Sequence, residues 1–310
     1  MTIHPDVVGI DVSKHHLDVF DAALGRGERL ANTAEVIAEL AGRWAGSGRT
    51  VVLEATGHYD RALRQGLEAA GVTYARVNPS RARDFARAAG FLAKTDAVDA
   101  RMLAALGAAL RPDAATPGDP ARERLARLHK RRDQLVAMRQ QERTRRAEVE
   151  DHALSEDLHA HLVWLDGAVE RLDQDIAAFV AQQPALAQAS RLVRSIPGVG
   201  AVTAVTLLAL VPELGARSPK ALAALAGLAP FNHDSGKLRG TRAIRGGRKR
   251  VRDALYMAAV SASRSNSRFR DNYQRLRNAG KPPKLAFIAI ARKLLITANA
   301  VIRDQQLFRS

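Results

Sequence analysis

Apolar residues in the first 110 positions come in short runs closed by turn residues, the pattern of strands and short helices. V-V-G-I-D-V at 7–12 reads as a buried strand, with H-H-L-D-V-F-D-A-A and then E-R-L-A-N-T-A as antiparallel partners. A helix is expected over about 35–46. T-V-V-L-E-A-T at 50–56 is a second buried strand, and V-T-Y-A-R-V-N at 72–78 a third. Between them Asp60 to Ala70 reads as a helix stopped by Gly71, Pro79 opens another helical stretch, and Asp96 to Leu110 forms a last helix. R-P-D-A-A-T-P-G-D-P at 111–120 then reads as a linker. Three strands followed by alternating helix and strand predict an α/β domain over residues 1–112.

Beyond the linker the periodicity becomes helical. Leu158, Leu162, Leu165, Val169, Leu172, Ile176 and Phe179 step by four and three, a heptad seam that predicts a coiled coil within 113–186. An ordinary amphipathic helix on a domain core satisfies the same spacing. From Ala121 to Arg146 there are ten Lys and Arg against three acids, and from Ala147 to Gln183 one Arg against nine acids. Opposite charge predicts that the two halves fold back on each other or meet across a dimer. Residues 187–310 read as a separate helical domain. There S-R-L-V-R-S-I-P-G-V-G-A-V-T-A matches a helix-hairpin-helix, with Pro197, Gly198, Val199 and Gly200 as the turn. Glycines let the backbone approach a phosphate, and the second helix offers it free N–H groups and a positive end. A plain helical hairpin with a glycine turn is the alternative.

Charge changes the picture by where it lies. The net charge is +16. Residues 1–110 carry 13 basic and 13 acidic side chains, 111–183 carry 12 and 14, and 184–310 carry 23 and 5. So concentrated an excess points to a polyanion, nucleic acid first. Much of it sits in H-D-S-G-K-L-R-G-T-R-A-I-R-G-G-R-K-R, His233 to Arg250, where Ser235 is followed by Lys237, Arg239, Arg242, Arg245, Arg248, Lys249 and Arg250, with Arg252 just beyond. Such a loop can hold a phosphodiester against a hydroxyl, or clamp nucleic acid passively. His233 has no acid placed to orient it as a base, and His15, His16 and His58 have no metal-ligand partners at helical spacing. There is no cysteine, hence no disulfide, thiolate metal site or cysteine nucleophile. M-T-I-H-P-D-V-V has no basic region before an apolar run, and no later segment approaches the roughly 18 uninterrupted apolar residues of a membrane span. A soluble, cytoplasmic, nucleoid-associated protein without a membrane partner is expected.

Two acids stand where apolar residues belong. Asp11 ends one apolar strand and Glu54 follows V-V-L, each a costly buried charge unless paired or metal-bound. Asp96 and Asp99, three apart at a helix start, share a face. Four carboxylates at strand ends and a helix start suit a pair of hard, oxygen-loving cations for phosphodiester cleavage.

G-I-D-V-S-K, L-E-A-T-G, V-N-P-S-R-A-R-D-F-A-R-A and A-K-T-D-A-V-D-A resemble the RuvC-like (RNase H-fold) domain of DEDD-type insertion-sequence transposases, those of insertion sequence family 110 and its sister group. S-G-K-L-R-G-T-R-A-I-R-G-G-R-K-R-V-R-D-A-L-Y-M-A-A and A-G-K-P-P-K-L-A-F-I-A-I-A-R-K-L-L resemble that family's C-terminal transposase domain. The resemblance implies that Asp11, Glu54, Asp96 and Asp99 bind Mg²⁺ or Mn²⁺, that Lys94 in the last N-terminal motif lies on nucleic acid, and that Ser235 is the nucleophile. It further implies a covalent 5′-phosphoserine intermediate, a structured noncoding guide RNA beside the DNA, and a homodimer through the coiled coil, possible also as a dimer of dimers. From residue chemistry alone a serine before glycine is more commonly a turn or cap residue. Positions 99 and 235 are far apart, so acids and serine would meet between domains or between subunits. Two other functions use the same residues: a metal-dependent, structure-specific endonuclease that hydrolyses with water, and a non-enzymatic nucleic-acid-binding protein whose acids are structural.

Overall fold

Val7–Val12 (β1) is buried at every position but Asp11 because it is the central strand of a five-stranded sheet covered on both faces. The computed structural model describes residues 3–55, 57, 59–91, 96–231, 243–244 and 246–309, without the side chains of residues 96, 97, 231 and 243. The chain divides into two compact units, Met1–Gly118 and Asp119–Ser310.

In the first unit β1 pairs antiparallel with β2 (His16–Asp21), and β2 with β3 (Arg26–Ala31). After α1 (Ala34–Trp44), β4 (Thr50–Glu54) joins the far side of β1 in parallel. After α2 (Arg61–Ala69), β5 (Thr73–Val77) extends the sheet in parallel, giving the order β3-β2-β1-β4-β5. The helices α3 (Pro79–Ala88) and α4 (Asp96–Leu110) complete the unit. This mixed sheet agrees with the RNase H-like layout expected from the sequence. The third strand starts at Arg26, earlier than the polar pattern predicted, because Gly25 takes a left-handed φ of 64° and closes the hairpin at once. It ends before Thr33, whose hydroxyl accepts from Val36 N and caps α1.

Strand alternation sorts the core into two layers. Val8, Ile10, Val12, Val51 and Leu53 pack with Ile37, Leu40, Trp44, Leu63 and Leu67 of α1 and α2. Val7, Val52 and Val77 point the other way, onto Leu103 and Leu106 of α4 and Ala82 of α3. The predicted linker is not free chain over its first part. Ala115 N–H donates to the Tyr74 carbonyl at 2.7 Å and Gly118 N–H to the Glu68 carboxylate at 3.2 Å, so the segment is tied to β5 and α2.

The second unit opens with α5 (Pro120–Glu148) and α6 (His152–Ala181), which fold back on each other as one of the two predicted arrangements required. Arg132 grips Asp173 at 2.5 and 3.0 Å and Arg139 reaches Asp166 at 2.7 Å, so the opposite charges of the halves meet within one hairpin. Leu162, Leu165, Val169, Ile176 and Phe179 of the seam are buried. Then follow α7 (Pro184–Arg194), α8 (Ala201–Leu210), α9 (Pro219–Leu225), the two-residue strands β6 (Pro230–Phe231) and β7 (Ala243–Ile244), and α10 (Lys249–Ser265), α11 (Ser267–Asn278) and α12 (Pro283–Asp304). Among the described residues α12 alone is long and apolar enough to cross a membrane. Its Ala286, Ile290, Ala291, Leu294, Leu295 and Ala298 are fully buried in the core of this unit.

The turn between α7 and α8 uses its glycines differently from one another. Gly198 has φ 81°, and a Cβ there would stand 2.4 Å from the Ala258 carbonyl oxygen and 2.6 Å from Ala262 N, so α10 lies directly on it. Gly200 has nothing within 4 Å. The first glycine serves helix packing, and only the second is open. Gly198→Ala is therefore expected to lower unfolding free energy by at least about 2 kcal/mol, from backbone strain plus overpacking. Gly200→Ala should cost no more than about 1 kcal/mol. Denaturant melts of the two variants check the difference.

His129 is fully buried beside Thr206, its Nε2 3.2 Å from the hydroxyl oxygen. That hydroxyl gives its proton to the Val202 carbonyl at 2.7 Å, so Nε2 must carry the ring proton and Nδ1 is left as a buried acceptor without a partner. Burial pulls the His129 pKa below its ordinary 6.5, more than the Asp133 carboxylate lifts it. The unfolded chain then binds a proton the folded chain refuses. Stability from this group is present above pH 6.5 and is lost as pH falls below it. His129→Gln should flatten the fall in unfolding free energy between pH 6.5 and about 5 by up to about 1.4 kcal/mol per pH unit, measured by urea titration at each pH.

Candidate active site

The alternation that places Val7 against α4 also sends Gly9 and Asp11 to that face, and in β4 it sends Val52 and Glu54 there. Ile10 stands beside Leu53 in the parallel pair, so Asp11 and Glu54 follow at the carboxyl ends of adjacent strands. Helix α4 supplies the third acid. A Cβ on Gly9 would fall 2.0 Å from the Ala100 carbonyl oxygen and 2.5 Å from Ala104 N, so the helix backbone rests on the strand at that glycine. Gly107 makes the second close approach, where a Cβ would meet Val52 at 2.6 Å and Val7 at 2.8 Å. Asp99 immediately precedes Ala100, and helical spacing sets it in line with buried Leu103 and Leu106. Asp11, Glu54 and Asp99 thus share one side of the sheet.

All three are half-buried, Asp11 and Glu54 less buried than their strand positions predicted, and each is engaged by a neighbouring group. Open access to water lets a carboxylate stay charged without the full penalty of an interior site. Asp96 is the first residue of α4, one turn before Asp99, and its side chain lies outside the described residues. Among the described residues no three acids or histidines gather closely enough to hold an ion. The donors on this face are all carboxylate oxygens, which suits Mg²⁺ or Mn²⁺ and not softer metals.

Sequence reading missed a fifth carboxylate. Asp18 stands directly opposite Asp11 in the β1–β2 pair and therefore on the same face. It is 5% exposed, and Arg29 from β3 holds it with two hydrogen bonds of 2.9 and 3.0 Å. Without that guanidinium Asp18 would be a buried like charge beside Asp11. The signal was the hairpin register: pairing across the short turn after Val12 sets position 11 against 18, and a one-residue slip would have turned Asp18 away.

Of the basic loop, Ser235, Lys237, Arg239, Arg242 and Arg245 lie outside the described residues, as does Lys94. The base of the loop is described. Pro230 pairs with Ile244 and Phe231 with Ala243, bringing its two ends together. Gly247 presses so closely on Gly227 that a Cβ would stand 2.2 Å from the Gly227 nitrogen, and Arg248 N–H donates to the Leu225 carbonyl at 2.8 Å. The loop carrying Ser235 therefore springs from a fixed stem. Pro197 to Gly200 form the α7–α8 turn, with Val199 buried and Gly200 as an N-cap that offers no side chain to α8. The positive end of α8 begins at exposed residues.

The remaining predicted cations already have protein partners. Arg248 clasps Glu213 with two hydrogen bonds of 2.6 Å, Arg250 clasps Asp133 at 2.6 and 2.8 Å, and Lys249 reaches Asp253 at 2.6 Å. Arg252 donates to the Gly246 carbonyl at 2.8 Å. Burial pushes the Glu213 and Asp133 carboxyls up, but hydrogen bonds and charge from their arginines outweigh it and hold both below the usual carboxylate range.

Two family models match the chain. The Transposase IS116/IS110/IS902 family model covers residues 190–274, and a transposase model for the DEDD region of IS110 elements covers residues 8–149. Among curated relatives, the pilin gene-inverting protein of Moraxella bovis is 31% identical over 314 residues, 97% of each chain. That of Moraxella lacunata is 33% identical over 83% of this chain and 81% of its own. An uncharacterized 43.6 kDa protein of insertion element IS110 from Streptomyces coelicolor is 35% identical over 43% of this chain and 34% of its own.

The seat of α4 on β1 can be tested directly. Gly9→Ala forces a methyl into the helix backbone and should lower stability by roughly 1–3 kcal/mol or more. Gly42→Ala, on an exposed part of α1 with nothing within 4 Å, should instead raise it by about 0.5–1 kcal/mol. Thermal melts of the pair separate the contact from a general glycine effect.

Proposed function

The chain belongs to the IS116/IS110/IS902 transposase family, and we propose that within it this protein cuts and rejoins DNA strands through a metal-binding carboxylate site and the Ser235 nucleophile. The observation that carries the reading is the shared face of Asp11, Glu54 and Asp99, seated by α4 on Gly9. With Asp96 these acids would hold Mg²⁺ or Mn²⁺. A bound divalent ion would supply Lewis-acid stabilisation of charge developing on phosphoryl oxygens. Ser235 Oγ attacks the phosphorus, its proton leaves to solvent or a neighbouring base, and the P–O3′ bond breaks as the departing O3′ takes up a proton from solvent. The products are a 5′-phosphoserine and a free 3′-hydroxyl. Another strand's 3′-hydroxyl then attacks that phosphorus and returns a proton to the serine oxygen. One phosphodiester is exchanged for another, so rejoining needs no outside energy source. Lys237, Arg239, Arg242 and Arg245 would hold the strand during both steps, and the Pro197–Gly200 hairpin would seat its backbone.

The three-part division, with a RuvC-like domain, a coiled coil and a helical transposase domain, belongs to the same reading. Val163 and Trp164, adjacent on α6, are each more than half exposed, an apolar spot that supports a homodimer through this hairpin. Since hairpin and basic loop touch backbone rather than bases, sequence choice is assigned to a noncoding guide RNA, as the resemblance implies.

The decisive experiment incubates the protein with labelled element-end DNA and Mg²⁺ and resolves the products on a denaturing gel. Wild-type protein should carry DNA covalently. Ser235→Ala should lose the adduct while still binding DNA, and Asp11→Asn and Asp99→Asn should reduce cleavage by more than about a hundredfold. Rejoining by Ser235→Ala would defeat the serine assignment, with water as the alternative nucleophile. Equal activity of the acid variants with and without Mg²⁺ would defeat the metal assignment.

A further inference from the structure

Most arginines in the helical unit that face neighbouring helices are matched by an acid, as Arg132, Arg139, Arg248 and Arg250 are. The outer face of α11 and the first half of α12 break that pattern. Residues 267–293 contain eight Lys and Arg against one acid, Asp271. Among the described residues none of these cations forms an ion pair with a carboxylate.

Their arrangement is ordered. Phe269 and Tyr273, one turn apart on α11, anchor the helix: Phe269 is buried and stacks on Phe308, and Tyr273 stacks on Phe287 of α12 at 4.6 Å. Arg268, Asn272 and Arg275 repeat at four and three on another side of the helix. Asn272 is the hub. Its side-chain oxygen accepts from Lys293 of α12 and, at 3.4 Å, from Arg275, while its Nδ2 donates to the Arg268 carbonyl at 2.7 Å. A neutral amide thus holds the Lys293 ammonium and the Arg275 guanidinium where a carboxylate would have neutralised them, one turn from Arg268. Partial burial, then the charges of Arg275 and Arg268, pull the Lys293 pKa down, a sign that the cations repel one another in the free protein.

Resting on the DNA-recombinase reading, we infer that Arg268, Arg275 and Lys293 form a backbone-binding surface for DNA, separate from the α7–α8 hairpin and the Ser235 loop. Polyanionic phosphates relieve the repulsion, and the aromatic anchors hold the cations in place before binding. Backbone contacts of this kind add affinity and register without base specificity. DNA is the occupant because eight cations against one acid over residues 267–293 complement a phosphate backbone and the chain belongs to a transposase family.

The test measures binding of fluorescent duplex DNA by anisotropy over a salt series, without divalent metal. Neutralising three phosphate contacts in Arg268→Ala/Arg275→Ala/Lys293→Ala should shrink the slope of log K against log salt by about 2.7 and weaken binding on the order of tenfold to a hundredfold. Arg268→Lys/Arg275→Lys should keep the slope, which separates charge from folding, and thermal melts confirm the fold of each variant. A control triple, Lys220→Ala/Arg303→Ala/Arg309→Ala, removes the same charge elsewhere and should leave most of the slope. Equal loss in both triples, or no loss in the first, overturns the surface. Loss on duplex RNA of equal length but not on DNA overturns the choice of partner. Wild-type protein that binds and cleaves DNA beside an unaffected triple sinks only this inference, whereas wild-type protein that binds no DNA sinks the recombinase reading with it.

Discussion

The candidate site depends on one steric constraint: the backbone of α4 rests on a strand residue that has no side chain. At Gly9 the helix comes so near that even a methyl would sit inside the Ala100 carbonyl. Gly107, seven residues beyond Ala100 on the helix, repeats the approach against Val7 and Val52. Two such contacts fix the position of α4 along the sheet, and with it where Asp99 stands relative to Asp11. The cost of this closeness is electrostatic. Asp11, Asp18, Glu54 and Asp99 are brought to one side of the sheet, and like charges in a half-buried setting repel. Arg29 relieves part of that repulsion by holding Asp18 from the edge of the sheet.

The fold was largely legible because it obeys short-range rules. Apolar runs marked β1 and β4, Gly71 marked the end of α2, Pro79 the start of α3, and the α6 stripe the buried side of the helical hairpin. Where pattern and structure part, a long-range contact is responsible. Segment 111–118 has the composition of a linker, yet Ala115 and Gly118 hydrogen-bond to β5 and α2, partners that no local signal names. Asp11 and Glu54 could be picked out as acids in apolar surroundings. Asp18 could not, since L-D-V reads as ordinary alternation until the hairpin register is known.

Glycines were legible as breaks in pattern but not as to purpose. P-G-V-G looked like a turn whose glycines both admit a phosphate. In the structure Gly198 admits α10, and only Gly200 is open to a ligand. The same holds at Gly227 and Gly247, whose mutual approach anchors the stem of the Ser235 loop. In each case a missing side chain lets two backbones meet, and composition cannot reveal which backbone the partner is.

Charge shows the same division between what is counted and what is placed. Residues 184–310 hold the whole basic excess of the chain, so sequence alone points to a polyanion. It also points to the densest run, yet Arg248, Lys249 and Arg250 in that run are paired with Glu213, Asp253 and Asp133. A cation already paired must give up its partner, or share it, before contacting a phosphate, and the partly buried Glu213 and Asp133 would then be left charged and uncompensated. Arg268, Arg275 and Lys293 face no such exchange. Among the described residues Arg275 and Lys293 share the neutral Asn272 and none of the three pairs with a carboxylate, so on the proposed reading a phosphate would gain their charge at little loss to the fold. On this reading, the absence of acids within reach guides the choice of a DNA-facing surface alongside local density of arginine, and the paired cations near the Ser235 loop would have to exchange or share their carboxylate partners to meet a phosphate.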